Sequence, residues 1–384
     1  MAPSRRNFLG TGLNRCLVVM AALTGLTVLV GCDRVESVQR GYRGTGIGLV
    51  YQTDRVAALA QLNKIPEPEP QEDPDPEAPE IKDVFKNVRV LNDLSVLEFS
   101  RLMQAMSTWV APEEGCSFCH NAKNLASDEK YTKVVARRML QMTRKINTDW
   151  KDHVQGTGVT CWTCHRGQAV PSGDWFAKPG DMASSHSLGN RAGQNTPGVK
   201  ANGYSSLPYD PLSTYLTTGN QIRVQGETAL RNSGSTGKSV KNAEATYALM
   251  MYMSNSLGVN CTYCHNTRAL ARWDESSPQR VTAWYGIRLV RQLNTDYLTP
   301  IAPLLPVYRL SAEGDGPKVG CETCHKGSYK PLYGVSMLTD YPVLRGVMPP
   351  QVKPPPPAES PAVAPLPVPA GPVNGAKAIK TSGP

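Results

Sequence analysis

The 384-residue sequence has little histidine, with six, and few aromatics, at 7%. Its N-terminal apolar run, Leu17 to Val30, is fourteen residues, short of the ~20 that a membrane-spanning helix needs. No basic tract with interleaved aromatics stands out, so a net charge of +9 gives no support for nucleic-acid binding. Basic residues are absent from Pro66–Glu80, PEPEPQEDPDPEAPE, which has seven acids. That stretch has nothing to bury and is expected to be an extended, solvated linker.

Arg5, Arg6 and Arg15 precede the apolar run, as in the core of an export signal. The run ends in Leu29-Val30-Gly31-Cys32, which resembles the bacterial lipoprotein cleavage box. Cys32 is then the lipidated first residue of the mature chain, and Asp33 implies retention at the inner membrane. Several acyl chains on one cysteine hold a protein firmly. Ser4–Leu9 also resembles a twin-arginine signal; either route leads to the periplasm.

Of ten cysteines, Cys16 and Cys32 belong to this leader. The other eight form four C-x-x-C pairs, each followed at once by histidine: Cys116/Cys119/His120, Cys161/Cys164/His165, Cys261/Cys264/His265 and Cys321/Cys324/His325. Exported cysteines usually form disulfides, and paired C-x-x-C motifs can hold zinc. Neither explains four adjacent histidines. The pattern is that of covalent haem attachment: two thiols add to the vinyl groups and the histidine ligates the iron. Four haem c groups replace much of the ordinary core, so the low aromatic content does not imply poor packing.

The chain also repeats itself. Motifs one and three continue into Asn, at Asn121 and Asn266. Motifs two and four share Thr-Cys-His-basic-Gly. Asn-Thr-Asp-aromatic ends two helical stretches at Asn147 and Asn294, so the offset is 294 − 147 = 147. A tandem duplication of a two-haem helical unit follows, packed about a pseudo-twofold axis with units two and four at the centre. Apolar spacing predicts helices over Leu94–Trp109, Tyr131–Asp149, Ala243–Ser256 and Pro278–Tyr297. Three carry methionines three apart, on one face: Met103/Met106, Met139/Met142 and Met250/Met253. One member of each pair is expected to ligate iron, and spacing leaves open which. The fourth helix has no methionine; Gly286 falls where Met139 lies. His153 has no counterpart, since the matching position is Glu313. We infer that His153 crosses to iron four, in the room left by Gly286. His186 lies in the polar, Gly-rich Gly180–Gly203 and is expected to be an exposed loop residue.

These residues resemble the tetrahaem cytochrome c subunit of purple-bacterial photosynthetic reaction centres. The likeness runs from Cys32 to Tyr333 and includes Trp109–Cys116, Val159–Gly167 and Leu257–Cys261. It implies distal ligands Met103, Met139 and Met250, with His153 for haem four. It implies the haem order one, two, four, three, with haem three nearest the photo-oxidised bacteriochlorophyll pair. It also implies L, M and H reaction-centre subunits as partners, a soluble cytochrome c or high-potential iron–sulfur protein as donor, and the periplasmic face of the photosynthetic membrane as location. Eight axial ligands for four irons leave no open site, so an electron carrier is expected rather than a multihaem reductase. The expected fold is mainly α and irregular, with a few short strands from Gly203–Gly237. Its divisions are a signal peptide (1–31), an anchor segment and linker (32–80), haem module one (81–170), a connection (171–238), haem module two (239–333) and a C-terminal segment (334–384) with an unstructured Pro/Ala-rich tail from Met348.

Overall fold

The computed structural model describes residues 34–39, 48–71, 79–177, 207–208, 210–224 and 238–346. The expected signal peptide, Cys32, His186 and the expected tail after Gly346 lie outside the described residues. All described residues belong to one unit ending at Met348; Pro349–Pro384 forms another. Helices dominate, and among the described residues none is long and apolar enough to cross a membrane.

Strands β1 (Val35–Gln39) and β2 (Gly48–Gln52) form an antiparallel hairpin. Helix α1 (Thr53–Leu62) follows directly. Part of the segment expected to be only an anchor thus straps the core. Tyr51 donates to the Gly258 carbonyl, Arg166 donates to the Leu62 carbonyl, and Trp162 Nε1 donates to Lys64 O at 3.1 Å.

Helix α2 (Val96–Val110) begins with Ser95, whose hydroxyl accepts from Glu98 N while Glu98 returns a carboxylate to Ser95 N. That reciprocal cap satisfies two otherwise orphaned donors. Its buried face is Leu102, Ala105 and Trp109, at helical spacing. Helix α3 (Tyr131–Asp149) matches the expected bounds. Short helices α4 (Lys151–Val154) and α5 (Cys161–His165) follow.

Strands were expected within Gly203–Gly237. The described part contains none and instead forms α6 (Leu212–Leu216). Asp210 explains this: its carboxylate accepts from Leu212 N and Ser213 N, both at 2.9 Å, which starts a helix.

Helix α7 (Val240–Leu257) is capped by Ser239 and Asn242 and stops at left-handed Gly258. A Cβ at Gly258 would lie 2.2 Å from Gly327 O. Helix α8 (Gln279–Gln292) runs on into a π-helical turn, Leu293–Leu298. Pro300 has no N–H for the Asp296 carbonyl, and Arg138 from α3 donates there instead. Helix α9 (Cys321–His325) completes the set.

One clamp appears twice. Asn147 Nδ2 donates to Val159 O and Val159 N donates to Asn147 Oδ1, both at 2.8 Å. Asn294 does the same with Val319, at 3.0 and 2.9 Å. Each Val lies two residues before its motif. Each amide also donates once more, Asn147 to Leu344 O and Asn294 to Leu216 O, both at 3.0 Å. The chain near Leu344 therefore serves the first half as α6 serves the second. Met337, Leu338, Tyr341 and Leu344 join Leu102, Trp109 and Leu140 in one core cluster, and Trp109 meets Tyr341 edge-on at 4.7 Å. The early part of the C-terminal segment, to Arg345, is thus core of the first half.

Replacing Asn147 or Asn294 by Ala strands several buried main-chain groups, each costing ~1–3 kcal/mol. Either variant is expected to lower the guanidinium midpoint of the intact protein by an amount equivalent to ~2–4 kcal/mol. An unchanged midpoint would rule out the clamp as a major support.

Candidate functional site

C-x-x-C-H on one helical turn places the cysteines at i and i+3, on a common face, with the histidine one residue on. All four motifs adopt such turns. Motifs two and four are α-helical, as α5 and α9. Motifs one and three are 3-10 turns, where His120 N and His265 N donate to the carbonyls of Cys116 and Cys261 at 3.0 and 2.9 Å.

The five described histidines share one arrangement. Nδ1 faces a main-chain carbonyl: His120 with Leu125 O at 3.0 Å, His165 with Gln168 O at 2.8 Å, His265 with Leu270 O at 3.0 Å, and His325 with Ser328 O at 2.9 Å. His153 Nδ1 faces Thr282 O at 2.9 Å. A carbonyl only accepts, so Nδ1 carries the proton and, in the neutral ring, Nε2 keeps its lone pair. That tautomer is the one a metal needs. Burial pushes His153, His165 and His265 below the ordinary histidine range and takes His325 down to about 4. At neutral pH these four rings are therefore uncharged.

A cavity of about 1030 Å³ lies in the first half, lined by Met103, Cys116, Cys119, His120, Met139 and His165, with Met106 and Cys161 also on its wall. It exceeds the ~300–1,000 Å³ of ordinary small-molecule sites. Met139 borders this space and also packs against the cluster that buries Met142, which does not line it. Met103 and Met106 both border it, so packing does not separate that pair. Met250 and Met253 are both partly buried against the core of the second half.

His153 and His325 face each other with ring centroids 6.1 Å apart and planes at 64°. Two imidazoles on one metal, each at roughly 2 Å, would put their centroids about 6 Å apart once the ring radii are added. Gly286 makes this possible: a Cβ there would lie 2.5 Å from His153 Cε1. The ring occupies the space that any side chain at 286 would take.

The cysteines do not behave as a zinc set. Among the described residues no three His, Cys, Asp or Glu side chains converge on one point. Burial raises the thiols of Cys161 and Cys321 to about 12 and that of Cys264 to about 11, and also raises Cys119. Cys164 and Cys324 are paired as a disulfide, with Cα atoms 4.5 Å apart. That bond and thioether attachment exclude one another at these two residues. Both stand directly before a histidine in the ligand tautomer, the setting common to all four motifs, which agrees with attachment. Their contact joins residues 160 apart, in the two units expected to lie together at the centre.

Residues 31–345 match the family described as photosynthetic reaction centre cytochrome C subunit. The photosynthetic reaction center cytochrome c subunit of Rubrivivax gelatinosus is 48% identical over 86% of this chain and 90% of its own length. That of Thermochromatium tepidum is 48% identical over 83% and 77%. That of Roseobacter denitrificans is 40% identical over 85% and 91%.

A Gly286→Ala variant should displace His153 from His325. One haem is expected to lose its low-spin optical spectrum while the others keep theirs. A spectrum identical to the parent would show that His153 does not need the room at 286.

Proposed function

The chain belongs to the photosynthetic reaction centre cytochrome c subunits, and from that premise we propose that it carries four haem c groups in two tandem two-haem units and re-reduces the photo-oxidised bacteriochlorophyll pair. Carrying electrons to the reaction centre makes or breaks no substrate bond. The observation that carries the four-site reading is the shared tautomer of five buried or partly buried imidazoles, one of them opposed to His325.

When bound, haem c supplies a reversible one-electron couple whose potential follows axial ligation, hydrogen bonding and burial. Cys116, Cys119, Cys161, Cys164, Cys261, Cys264, Cys321 and Cys324 would hold the four groups. His120, His165, His265 and His325 would each offer Nε2 to an iron, and Met103, Met139, Met250 and His153 would supply the second ligand to each. His153 in place of methionine gives site four a lower potential than an otherwise similar His/Met site.

The repeated clamp supports tandem duplication: Asn147 holds Val159 and Asn294 holds Val319 by the same two amide bonds, each Val two residues before its motif. The contact of motifs two and four supports the order one, two, four, three. Electrons enter from a soluble cytochrome c or high-potential iron–sulfur protein in the periplasm. The L, M and H subunits with bacteriochlorophyll receive the chain, which is held at the membrane by lipidated Cys32.

Haem quantification on the native membrane protein should return four per chain, with peptides showing haem on Cys164 and Cys324 and no cross-link between them. His153→Ala should convert one haem to a high-spin form that binds carbon monoxide when reduced. Four unaltered low-spin haems in that variant would refute the crossing ligand. Failure of the native protein to re-reduce a flash-oxidised bacteriochlorophyll pair would refute the assigned function.

A further inference from the structure

Lys133, on the first turn of α3, is a buried cation. It is 8% exposed and lines the cavity of the first half together with His120 and Leu125. A lysine is rarely buried so far unless it is paired. Its Nζ donates to Leu125 O at 2.7 Å and to Ser127 O at 2.9 Å, and Asp128 Oδ1 stands 3.5 Å away. Two carbonyls and a carboxylate match the three donors of an ammonium. Arg137 pairs with the same carboxylate at 2.9 Å and holds Asp128 down to about 2.

Leu125 O is also the oxygen that faces His120 Nδ1 at 3.0 Å. One carbonyl thus accepts from a ligand imidazole and from an ammonium. The second half builds the same loop and places its cation differently. Leu270 matches Leu125, five residues after its histidine, and faces His265 Nδ1 at 3.0 Å. Arg280 matches Lys133 at the offset of the helices, since 280 − 133 = 147. Its guanidinium donates to Arg272 O at 2.7 Å, to Ser276 Oγ at 2.8 Å and to Ala271 O at 3.5 Å. Those carbonyls lie beyond Leu270. Lysine in one half and arginine in the other therefore decide whether a charge shares the carbonyl that the ligand histidine uses.

We propose that Lys133 is a positioning residue of site one, acting through Leu125 O to weaken the electron donation of His120 and to raise the potential of that site. The inference rests on the four-haem reading. A carbonyl that accepts strongly from Nδ1 makes the imidazole a more basic ligand, which favours ferric iron. An ammonium on the same oxygen draws electron density from it, so the oxygen accepts less from His120. The charge itself also opposes oxidation of a nearby iron. Both effects favour the reduced state, and site three lacks the first of them. One electron is gained or lost at the iron and exchanged with a neighbouring site; no bond forms or breaks.

The test is redox titration, with optical detection, of the full membrane-bound complex. The band of site one is marked beforehand by Cys116→Ala, which leaves its haem singly attached. Lys133→Met removes the charge, and Arg89 and Arg137 still pair Asp128. It should keep four low-spin haems while the oxidised-to-reduced ratio of site one, at fixed ambient potential, rises roughly tenfold, a fall of ~59 mV for one electron. The other three sites should not move. Lys133→Arg keeps the charge and, as at 280, takes it off the shared carbonyl, so its site-one potential should fall part of the way. An unchanged potential in Lys133→Met would overturn the proposal, and the parent's potential in Lys133→Arg would overturn the role of Leu125 O. The unmutated, haem-loaded protein gives a second readout that needs no variant. Its crystal structure should keep Lys133 Nζ and His120 Nδ1 both within hydrogen-bond distance of Leu125 O; an ammonium turned to solvent or to a haem carboxylate would overturn the proposal. Fewer than four haems in the unmutated protein would instead refute the underlying reading, so the two failures are distinguishable.

Discussion

A carbonyl oxygen facing Nδ1 decides what each described histidine can do, and the surrounding turns exist to supply that oxygen. After motifs two and four the chain turns through left-handed Arg166 and Lys326, then Gly167 and Gly327 at φ 79° and 78°. The turn returns Gln168 O and Ser328 O to the imidazole three residues back. The left-handed glycines are positions that L side chains rarely adopt. After motifs one and three a different device does the same work. The side-chain oxygens of Asn121 and Asn266 accept from Lys123 N and Arg268 N at 2.9 and 3.1 Å, folding the loop so that Leu125 O and Leu270 O reach back five residues. The shared residues after each histidine are thus explained by one requirement, a fixed tautomer.

His153 obeys the same requirement with a partner from elsewhere. Its carbonyl comes from Thr282 on α8, in the other half. Helix α4 presents the ring, α8 supplies both the acceptor at Thr282 and the gap at Gly286, and α9 supplies the facing His325. The packing of α4 on α8 therefore fixes the ring's position and its tautomer together.

Much of this was legible because it depends on local spacing. Four long helices and four motifs follow from periodicity and from C-x-x-C-H, and the absence of methionine from α8 pointed to His153 and Gly286. What stayed hidden depends on distant contacts or irregular chain. Met337, Leu338, Tyr341 and Leu344 enter the first core from turns without a helical or alternating period. The hairpin and α1 lie in the segment expected to be an anchor, and their contacts with the core come from residues far along the chain. Units two and four were expected to lie together, but the residues that touch there, Cys164 and Cys324, are 160 apart, and no short-range pattern encodes that pair. The Met pairs show the limit from the other side: residues three apart share a face, so only tertiary packing could separate Met139 from Met142, and it leaves Met103 and Met106 together.

Where the halves differ, the differences come in spatially matched pairs. At the helix that packs on the motif, Ala105 in the first half corresponds to Tyr252 in the second, since 252 − 105 = 147. At the residue before the first cysteine, Thr160 corresponds to Gly320, since 320 − 160 = 160. Tyr252 Oη accepts from Glu322 N at 3.3 Å, at the start of α9, and a Cβ at Gly320 would lie 2.0 Å from that hydroxyl. A threonine at 320 is therefore incompatible with tyrosine at 252, while Ala105 leaves Thr160 its room. The pairing of His153 with Gly286 follows the same logic, a large ring set against a residue with no side chain. Close packing tolerates little change in volume at one position alone, so asymmetry within matching halves appears as compensated pairs that cross between elements. On that ground the His153–Gly286 exchange is a fitted substitution within the core.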